Sequence, residues 1–325
     1  MMASRNGGRG PKYTSKLVEE IKALKVEKKA TILAHNYQLP EVQDVADIVG
    51  DSLGLSLAAS HLNGIKRIVF CGVRFMAETA AIACPKVKVL LPELEAGCSL
   101  SSSITADDVR RWKAENPGAV VIAYVNTTAD VKAESDYCCT SANAVRVLNA
   151  IPPGKEILFL PDMFLGAYAT AMSGRKAKLW PGECHVHAPI SVEMINRLRE
   201  EHPKAEILVH PECGCMTNCL YLSSQGMLGE GIRFLSTDGM MRHVSSSKSK
   251  EFVIATEVGI LHRMRKEHPD KTFIPADEGA VCKYMKMTTL EKVLRSLRED
   301  VHEIRVPEDV ASRAKLAIDR MLALA

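Results

Sequence analysis

The sequence predicts an α/β protein: three similar α/β units with parallel sheets, arranged about a pseudo-threefold axis around a central active-site cavity. Three stretches of the chain read alike, because each is an apolar, largely β-branched run that ends in polar residues. They are ATILAHNY (30–37), AVVIAYVN (119–126) and AEILVHPE (205–212). Tyr124 follows His35 by 89 residues and His210 follows Tyr124 by 86. This period is close to the length of a small α/β unit and far longer than a solenoid repeat.

Each unit continues with two further apolar strands that are separated by a helix-compatible stretch. The predicted second strands are 68–71, 157–160 and 252–255, and the predicted third strands are 87–91, 178–180 and 272–274. Each third strand is followed by a cysteine and then by a helix that begins at a Ser or Thr cap. The cysteines are Cys98, Cys184 and Cys282, and the caps are Thr105, Ser191 and Thr289. The first two of these helices are expected to end before Pro117 and Pro203.

The polar ends of the first strands are the first candidates for a functional site. Continuous apolar strands that alternate with helices indicate parallel sheets covered on both faces, and functional groups then lie beyond the carboxyl ends of the strands. A pseudo-threefold axis would bring these ends and the three cysteines together in one cavity. The polar ends are His35 and Tyr37, Tyr124 and Asn126, and His210 and Glu212.

Three hydroxyls recur at related offsets. Ser52 lies 17 residues after His35, Ser141 lies 17 after Tyr124, and Thr237 lies 27 after His210. We attribute the extra ten residues to an inserted stretch between 213 and 231. A hydroxyl at a helix N-terminus, beside free backbone N–H groups, favours carboxylate or phosphate binding, so three of them suit a polyanionic small molecule. The alternative is that they are ordinary helix caps.

Composition narrows the class of protein. The chain has 325 residues, of which 46% are hydrophobic and 25% charged, and its net charge of +3 is too small for a nucleic-acid footprint. It has no apolar run of the roughly 18 residues that span a bilayer. The N-terminus, MMASRNGGRG, lacks the apolar core of a signal peptide, so we expect a disordered leader and a cytoplasmic location. The predicted units are 14–103, 104–187 and 188–287, with C-terminal helices in 288–325 packing back on the first unit.

Ten cysteines in a cytosolic chain favour metal ligands, catalytic groups or buried apolar side chains over disulfides. Cys98, Cys184 and Cys282 occupy equivalent positions, and three thiolates aimed at one axis match an iron–sulfur cluster. Three ligands for a four-iron cube leave one iron open, which can act as a Lewis acid. The C-x-C-x3-C run from Cys213 to Cys219 is an alternative cluster seed. We interpret it as a Cys-rich loop beside the site, because it breaks the threefold pattern.

Six motifs carry a family resemblance. They are AHNYQLPEVQDVADIVGDSLGLS, AYVNTTADVKAESDYCCTSANAV, PGECHVH, LVHPEC, TEVGILHRM and CKYMKMTTLEKVLRSL. From about residue 16 to 297 the sequence resembles the quinolinate synthase (NadA) family. The resemblance implies three α/β lobes and the condensation of iminoaspartate with dihydroxyacetone phosphate to quinolinate, phosphate and two waters, in de novo NAD biosynthesis. It also implies a 4Fe-4S cluster held by three cysteines.

Family positions transfer to this chain residue by residue. The implied cluster ligands are Cys98, Cys184 and Cys282. The implied substrate contacts are His35, Ser52, Tyr124, Asn126, Ser141, His210, Glu212 and Thr237, and Tyr37 and His185 match further active-site positions. Some members carry a C-x2-C-x2-C redox motif at the third ligand. Here Met285 and Thr288 replace its second and third cysteines, which argues against a thiol–disulfide switch at that point.

The expected roles follow from side-chain chemistry. Glu212 and His210 are the candidate bases, Tyr37 and Tyr124 the proton relays, and His35 and His185 the groups that bind or protonate anionic oxygens. The resemblance also points to transient contacts with an aspartate-oxidising enzyme and with cluster-assembly proteins, and to no nucleic-acid or membrane partner. Two alternatives stay open: an iron–sulfur electron carrier or sensor without turnover, and a metal-free protein that binds a sugar phosphate or an amino acid.

Overall fold

A computed structural model describes residues 11–62, 64–219 and 231–325. The expected leader, 1–10, and residues 220–230 of the expected insertion lie outside the described residues. In the described part the strands form three separate four-stranded sheets, and every ladder is parallel. The α/β class and the three similar units are therefore confirmed.

The three sheets share one strand order, in which the second strand of the unit is at one edge and the first and third strands are central. The first sheet contains β1 (Ala30–His35), β2 (Ile48–Gly50), β3 (Arg67–Cys71) and β4 (Lys88–Leu90). The second contains β5 (Val120–Tyr124), β6 (Tyr137–Cys139), β7 (Ile157–Leu160) and β8 (Lys178–Leu179). The third contains β9 (Glu206–Val209), β10 (Ile232–Phe234), β11 (Glu251–Ala255) and β12 (Thr272–Pro275).

The edge strands β2, β6 and β10 were not predicted. Each has only three residues, and their sequences, IVG, YCC and IRF, share no pattern that recurs between the units. In the first two units an aspartate holds the edge strand in place. Asp47 accepts a hydrogen bond of 2.8 Å from the backbone of Ile32, and Asp136 accepts one of 2.8 Å from the backbone of Val121. The same aspartate-to-backbone contact therefore occurs at equivalent positions of the first two units.

The helices repeat in step with the strands. Short helices Pro40–Val45 and Ala129–Ala133 follow the first strands of two units, and Ser52–His61, Ala144–Ala150 and Thr237–Ser246 follow the edge strands. Arg74–Ala83, Met163–Ser173 and Ile260–Glu267 follow the third strands. Ala106–Glu115, Val192–Glu201 and Leu290–Glu299 follow the fourth strands, the last after a 3₁₀ turn at Met285–Met287. Pro11–Glu27 and Glu308–Leu322 are the first and last helices described.

The predicted caps of the helices after the fourth strands are confirmed. The side chains of Thr105, Ser191 and Thr289 each accept a hydrogen bond from the backbone N–H three residues later. The first two of these helices end just before Asn116 and His202, which precede the prolines as expected. The repeat therefore includes the Ser or Thr cap that begins the last helix of every unit. In the first two units it also includes the residue before proline at which that helix ends.

The central strands are buried, as continuous apolar runs predict. Helices Pro11–Glu27 and Leu290–Glu299 pack together over the first sheet, with Ile21, Val293 and Leu297 in a shared core. Helix Glu308–Leu322 lies mainly against β6 and Ala129–Ala133 of the second unit, so the C-terminal segment contacts two units. The unit boundaries stay predictions. None of the described helices is both long and apolar enough to cross a bilayer.

Candidate active site

One cavity opens where the carboxyl ends of the three sheets meet. Every candidate residue from the sequence lines it, and each unit contributes several. These residues are His35, Tyr37, Ser52 and Cys98; Tyr124, Asn126, Ser141, Cys184 and His185; and His210, Glu212, Thr237 and Cys282. The structure thus brings the whole set together, while the role of each residue stays a prediction.

Glu212 lies at the centre of the hydrogen bonding in this cavity, with only 2% of its surface exposed. Its Oε1 accepts a hydrogen bond from the Tyr124 hydroxyl, and its Oε2 lies 2.9 Å from His187 Nδ1. Burial opposes ionisation, but His187, His210 and the hydrogen bonds from His187 and Tyr124 lower the pKa of Glu212 to about 2. Glu212 is therefore a carboxylate at neutral pH.

His187 extends this network to the first unit. Its Nε2 lies 2.9 Å from Thr256 Oγ1 and 3.3 Å from the Tyr37 hydroxyl, and the Tyr37 hydroxyl lies 2.5 Å from Thr256 Oγ1. On the other side of the ring, Nδ1 is 3.3 Å from Cys184 Sγ. A continuous path of polar contacts therefore runs from Tyr37 through Thr256, His187 and Glu212 to Tyr124.

Burial sets the protonation of the aromatic and imidazole groups. Desolvation, with smaller effects from neighbouring charges, lowers the pKa of His35 and of His210 to about 3, so both rings are neutral near pH 7. Burial and the Glu212 charge raise the pKa of Tyr37 and of Tyr124 well above 10, so both phenols keep their protons. His210 stacks on His187 with ring centroids 4.8 Å apart.

Three thiols share the same cavity. Burial raises the pKa of Cys98 to about 12, and it also raises the pKa values of Cys184 and Cys282. The thiols are close enough to affect one another: a charge on Cys282 raises the pKa of Cys98, and a charge on Cys98 raises that of Cys184. Metal binding would remove the protons of these three neighbouring thiols. As a set of sulfur donors, they fit an iron–sulfur cluster in chemical type.

Cys213, Cys215 and Cys219 lie away from this cavity lining. All three are buried in the hydrophobic core of the third unit, and Cys213 Sγ donates a hydrogen bond of 3.2 Å to the carbonyl of Ala255. This placement supports the interpretation of a Cys-rich segment beside the site. Within the described ranges, only Cys184, His187 and Glu212 were found to have donor atoms all within 4.8 Å of one another. This group could hold a metal ion.

The three predicted hydroxyls occupy two kinds of position. Ser52 and Thr237 are the first residues of their helices, and Asp51 and Ser236 are the caps. Ser141 instead lies in the turn before helix Ala144–Ala150, two residues ahead of the N-cap position at Asn143, and its Oγ is 3.3 Å from His210 Nε2. None of the three is itself a helix cap, so the alternative of ordinary caps is wrong.

Asn126 and His185 present polar groups to the cavity in different ways. Asn126 Oδ1 is buried and has no hydrogen-bond partner in the described part of the chain, so it is free to accept one from a ligand. His185 is more exposed, with Nδ1 3.0 Å from Ser99 Oγ and its ring edge-on to Tyr284. Both side chains line the cavity from the second unit.

Sequence reasoning missed several residues that support the site. Glu257 is fully buried, accepts hydrogen bonds from the backbone of Gly259 (2.7 Å) and Cys282 (3.1 Å), and pairs with Lys286 at 2.8 Å. Lys286 Nζ in turn donates to the carbonyl of Tyr37 at 2.5 Å. Glu257 and Lys286 therefore connect the Cys282 segment to the Tyr37 segment. The signal for Glu257 was its place just beyond β11, where the strand-end rule also applies.

Comparison with known proteins gives a consistent result. A family model described as quinolinate synthetase A protein matches residues 19–323. The chain is 56% identical to a quinolinate synthase of Thermus thermophilus over 308 residues, which cover 95% of this chain and 97% of the relative. It is 53% identical to that of Pyrobaculum aerophilum over 309 residues, covering 95% and 100%. It is 50% identical to that of Mycobacterium tuberculosis over 305 residues, covering 93% and 87%.

Proposed function

Since the chain belongs to the quinolinate synthase (NadA) family, we propose that it is an enzyme, formally a transferase, that makes quinolinate for NAD biosynthesis. Its substrates are iminoaspartate and dihydroxyacetone phosphate, and phosphate and two waters are the other products. The observation that carries the proposal is the single cavity that holds three thiols beside buried acid, imidazole and phenol groups. The contacts with an aspartate-oxidising enzyme and with cluster-assembly proteins, and the cytoplasmic location, stay predictions.

The cofactor we propose is a 4Fe-4S cluster held by Cys98, Cys184 and Cys282. The donor set supports it, since the three thiols share one cavity and interact electrostatically. When bound, the cluster would supply a Lewis-acidic iron without a protein ligand.

The path from Tyr124 to Glu212 suits proton transfer. The Tyr124 hydroxyl donates a hydrogen bond to Glu212. Its oxygen therefore keeps lone pairs that can take a proton from a substrate carbon or hydroxyl. As Tyr124 takes that proton, its own proton can pass to the carboxylate. Because the pKa of Glu212 is low, the carboxylate would take the proton only in passing, which refines its expected role from base to relay.

The path from Tyr37 suits proton donation. Tyr37 keeps its proton at neutral pH and contacts both Thr256 and His187, so a proton lost to a leaving oxygen can be replaced along the same path. The neutral rings of His35 and His210 can hold anionic oxygens through N–H groups. This is a narrower role than the proton donation expected of His35 and the base role expected of His210.

Two helix N-termini provide the setting for anion binding. Ser52 and Thr237 begin their helices with hydroxyls that line the cavity, where helix dipoles favour carboxylate or phosphate. The free acceptor Asn126 Oδ1 can orient a substrate N–H or hydroxyl. These groups bind and orient the substrates, while the relays described above move protons.

Measured quinolinate formation tests the relays. Glu212→Gln keeps size but removes proton acceptance, and Tyr37→Phe removes a proton donor, so each should lower turnover by roughly two to four orders of magnitude. The matched control is Tyr168→Phe, because Tyr168 is only partly buried and packs on Phe234. Iron content serves as the control for an intact site. Near wild-type turnover of Glu212→Gln with full iron would place the base elsewhere.

Iron content and visible absorption after anaerobic reconstitution test the ligands. Cys98→Ala, Cys184→Ala and Cys282→Ala should each lose the cluster, whereas Cys213→Ala, Cys215→Ala and Cys219→Ala should keep it. The opposite pattern would overturn the ligand assignment. A loaded wild-type protein that forms no quinolinate would instead favour the electron carrier or sensor.

A further inference from the structure

The group of Cys184, His187 and Glu212 has the composition of a mononuclear metal site. His187 Nδ1 lies 3.3 Å from Cys184 Sγ and 2.9 Å from Glu212 Oε2, and all three donor atoms lie within 4.8 Å of one another. We propose that the cluster-free protein binds one zinc-class divalent cation at these three residues, and that this binding competes with cluster assembly.

The spacing of the donors is close to that of a tetrahedral site. Zinc bonds of ~2.0–2.3 Å place neighbouring ligand atoms roughly 3.3–3.6 Å apart. The two separations that involve His187 Nδ1, 2.9 and 3.3 Å, are slightly shorter than this, and Cys184 Sγ lies within 4.8 Å of the Glu212 oxygen, so small side-chain movements bring the three donors to tetrahedral spacing. One thiolate, one imidazole and one carboxylate are also a donor set that suits zinc better than magnesium or calcium.

The other polar atoms of these ligands are already held. His187 Nδ1 faces the other two donors, and a cation that binds there replaces its proton; Nε2, 2.9 Å from Thr256 Oγ1, then carries the ring's N–H and donates it to that hydroxyl. Glu212 Oε1 accepts the hydrogen bond of Tyr124, which leaves Oε2 for the cation. Outer contacts of this kind orient metal ligands, so the three donors are already held in position for a cation.

The site also has room for a fourth ligand, and zinc binding there should exclude the cluster. Cys184, His187 and Glu212 all line the cavity, so water can complete the coordination. Cys184 is in addition a proposed cluster ligand, so its sulfur cannot serve both metals in their usual coordination. This exclusivity rests on the proposed function, whereas zinc binding by the cluster-free protein does not.

The main rival is a zinc site made of the three cluster thiols, because zinc also binds cysteine clusters. The two sites share Cys184 but differ in every other ligand. His187 and Glu212 belong only to the proposed site, while Cys98 and Cys282 belong only to the rival. Variants at these positions therefore separate the two directly.

The experiment uses full-length protein freed of iron by anaerobic chelation and titrated with Zn²⁺ by calorimetry. We expect one zinc ion per wild-type chain, retained in Cys98→Ser and Cys282→Ser. We expect at least tenfold weaker binding in His187→Ala and Glu212→Gln, and a 10–100-fold loss in Thr256→Ala, which removes only an outer contact. Co²⁺ as a probe should give a thiolate-to-cobalt absorption in wild type that Cys184→Ser lacks.

Circular dichroism of each variant establishes that it is folded. The wild-type titration tests the proposal even if a variant fails to fold. Absence of stoichiometric zinc in wild type overturns the proposal. The proposal is also overturned if Cys98→Ser and Cys282→Ser lose zinc binding while folded His187→Ala keeps it. Reconstitution of zinc-loaded wild type should give at least tenfold less cluster than that of zinc-free protein, and equal yields would overturn the competition. Failure of zinc-free wild type to take up a cluster would instead count against the proposed function.

Discussion

The carboxyl group of Asp51 should make a separable contribution to the pH dependence of this protein's stability. Asp51 is 7% exposed, lines the cavity and caps helix Ser52–His61 by accepting a 2.7 Å hydrogen bond from the backbone of Gly54. Its backbone N–H lies 3.2 Å from a carboxylate oxygen of Asp238, in the third unit. Burial and the neighbouring Asp238 charge raise the pKa of Asp51 from 3.8 to about 7.

The direction of the pH effect follows from proton linkage. Between pH 4 and 7 the folded protein holds a proton on Asp51 that the unfolded chain has released. The resulting stability is complete below pH 3.8 and is lost as the pH rises through the folded pKa of about 7. Well between these two pKa values each pH unit changes the free energy of unfolding by ~1.4 kcal/mol, and the slope is halved at the folded pKa, so pH 5 to 7 accounts for about 2 kcal/mol and pH 5 to 8 for about 3 kcal/mol.

Asp51→Asn isolates this contribution. Asparagine caps a helix as well as aspartate does and resembles the neutral carboxyl group, so the helix start is preserved. We expect the variant to gain stability over wild type as the pH rises from 5 to 8, by about 3 kcal/mol, and the gain to level off above pH 7. Urea unfolding at several pH values measures it. The buried histidines act in the opposite direction, but both proteins contain them and their effects cancel.

Asp238→Asn is the matched control, because it removes the neighbouring charge and leaves Asp51 in place. The pKa of Asp51 should then fall, and the pH dependence between 5 and 8 should become weaker than in wild type. A stability difference between Asp51→Asn and wild type that stays constant across this range would refute the reasoning. Asp51 would then ionise alike in the folded and unfolded states.

Further substitutions test the packing around the site. Glu257→Gln leaves Lys286 without its buried anion, so the free energy of unfolding should fall by roughly 3–5 kcal/mol in urea. Asp270→Asn breaks an ion pair whose side chains are more than half exposed, so urea unfolding should show no measurable loss of stability. Gly214→Ala puts a Cβ 2.1 Å from the Ala188 carbonyl oxygen, so a melting scan should show a Tm lower by several degrees. An unchanged Tm would mean that this segment shifts freely.

The sequence predicted the sheets and the cavity through one rule, that polar residues after buried parallel strands share an edge. The rule works for His35, Tyr124 and His210 because their strands are long and apolar. It does not reveal β2, β6 and β10, because their three sequences share no pattern and pairing with a neighbouring strand fixes them instead. Tertiary contacts decide such elements.

His187 was missed for a different reason. It lies in a turn well beyond the end of β8, where strand geometry no longer places the side chain, and its partners Thr256 and Glu212 come from another unit. A sequence signal did exist, because Cys184 and His187 are three residues apart and one turn brings such a pair onto the same face. The hydrogen bond from His187 N to the Cys184 carbonyl, at 3.1 Å, closes that turn. The spacing alone could not tell which carboxylate faces the ring.

The three units share one architecture but carry different side chains at equivalent positions of the cavity. Repetition gives three sheets of one order, but the residues at equivalent strand ends differ, since His35, Tyr124 and His210 occupy the same place in each. The path of polar contacts that we propose for proton transfer is divided among all three units: Tyr37 comes from the first, Tyr124 and His187 from the second, and Thr256 and Glu212 from the third. Because polar contacts of 2.5–3.3 Å cross the boundaries, a displacement of one unit by a few ångströms would break the path. The relative placement of the units is therefore as much a part of the active site as any side chain in it.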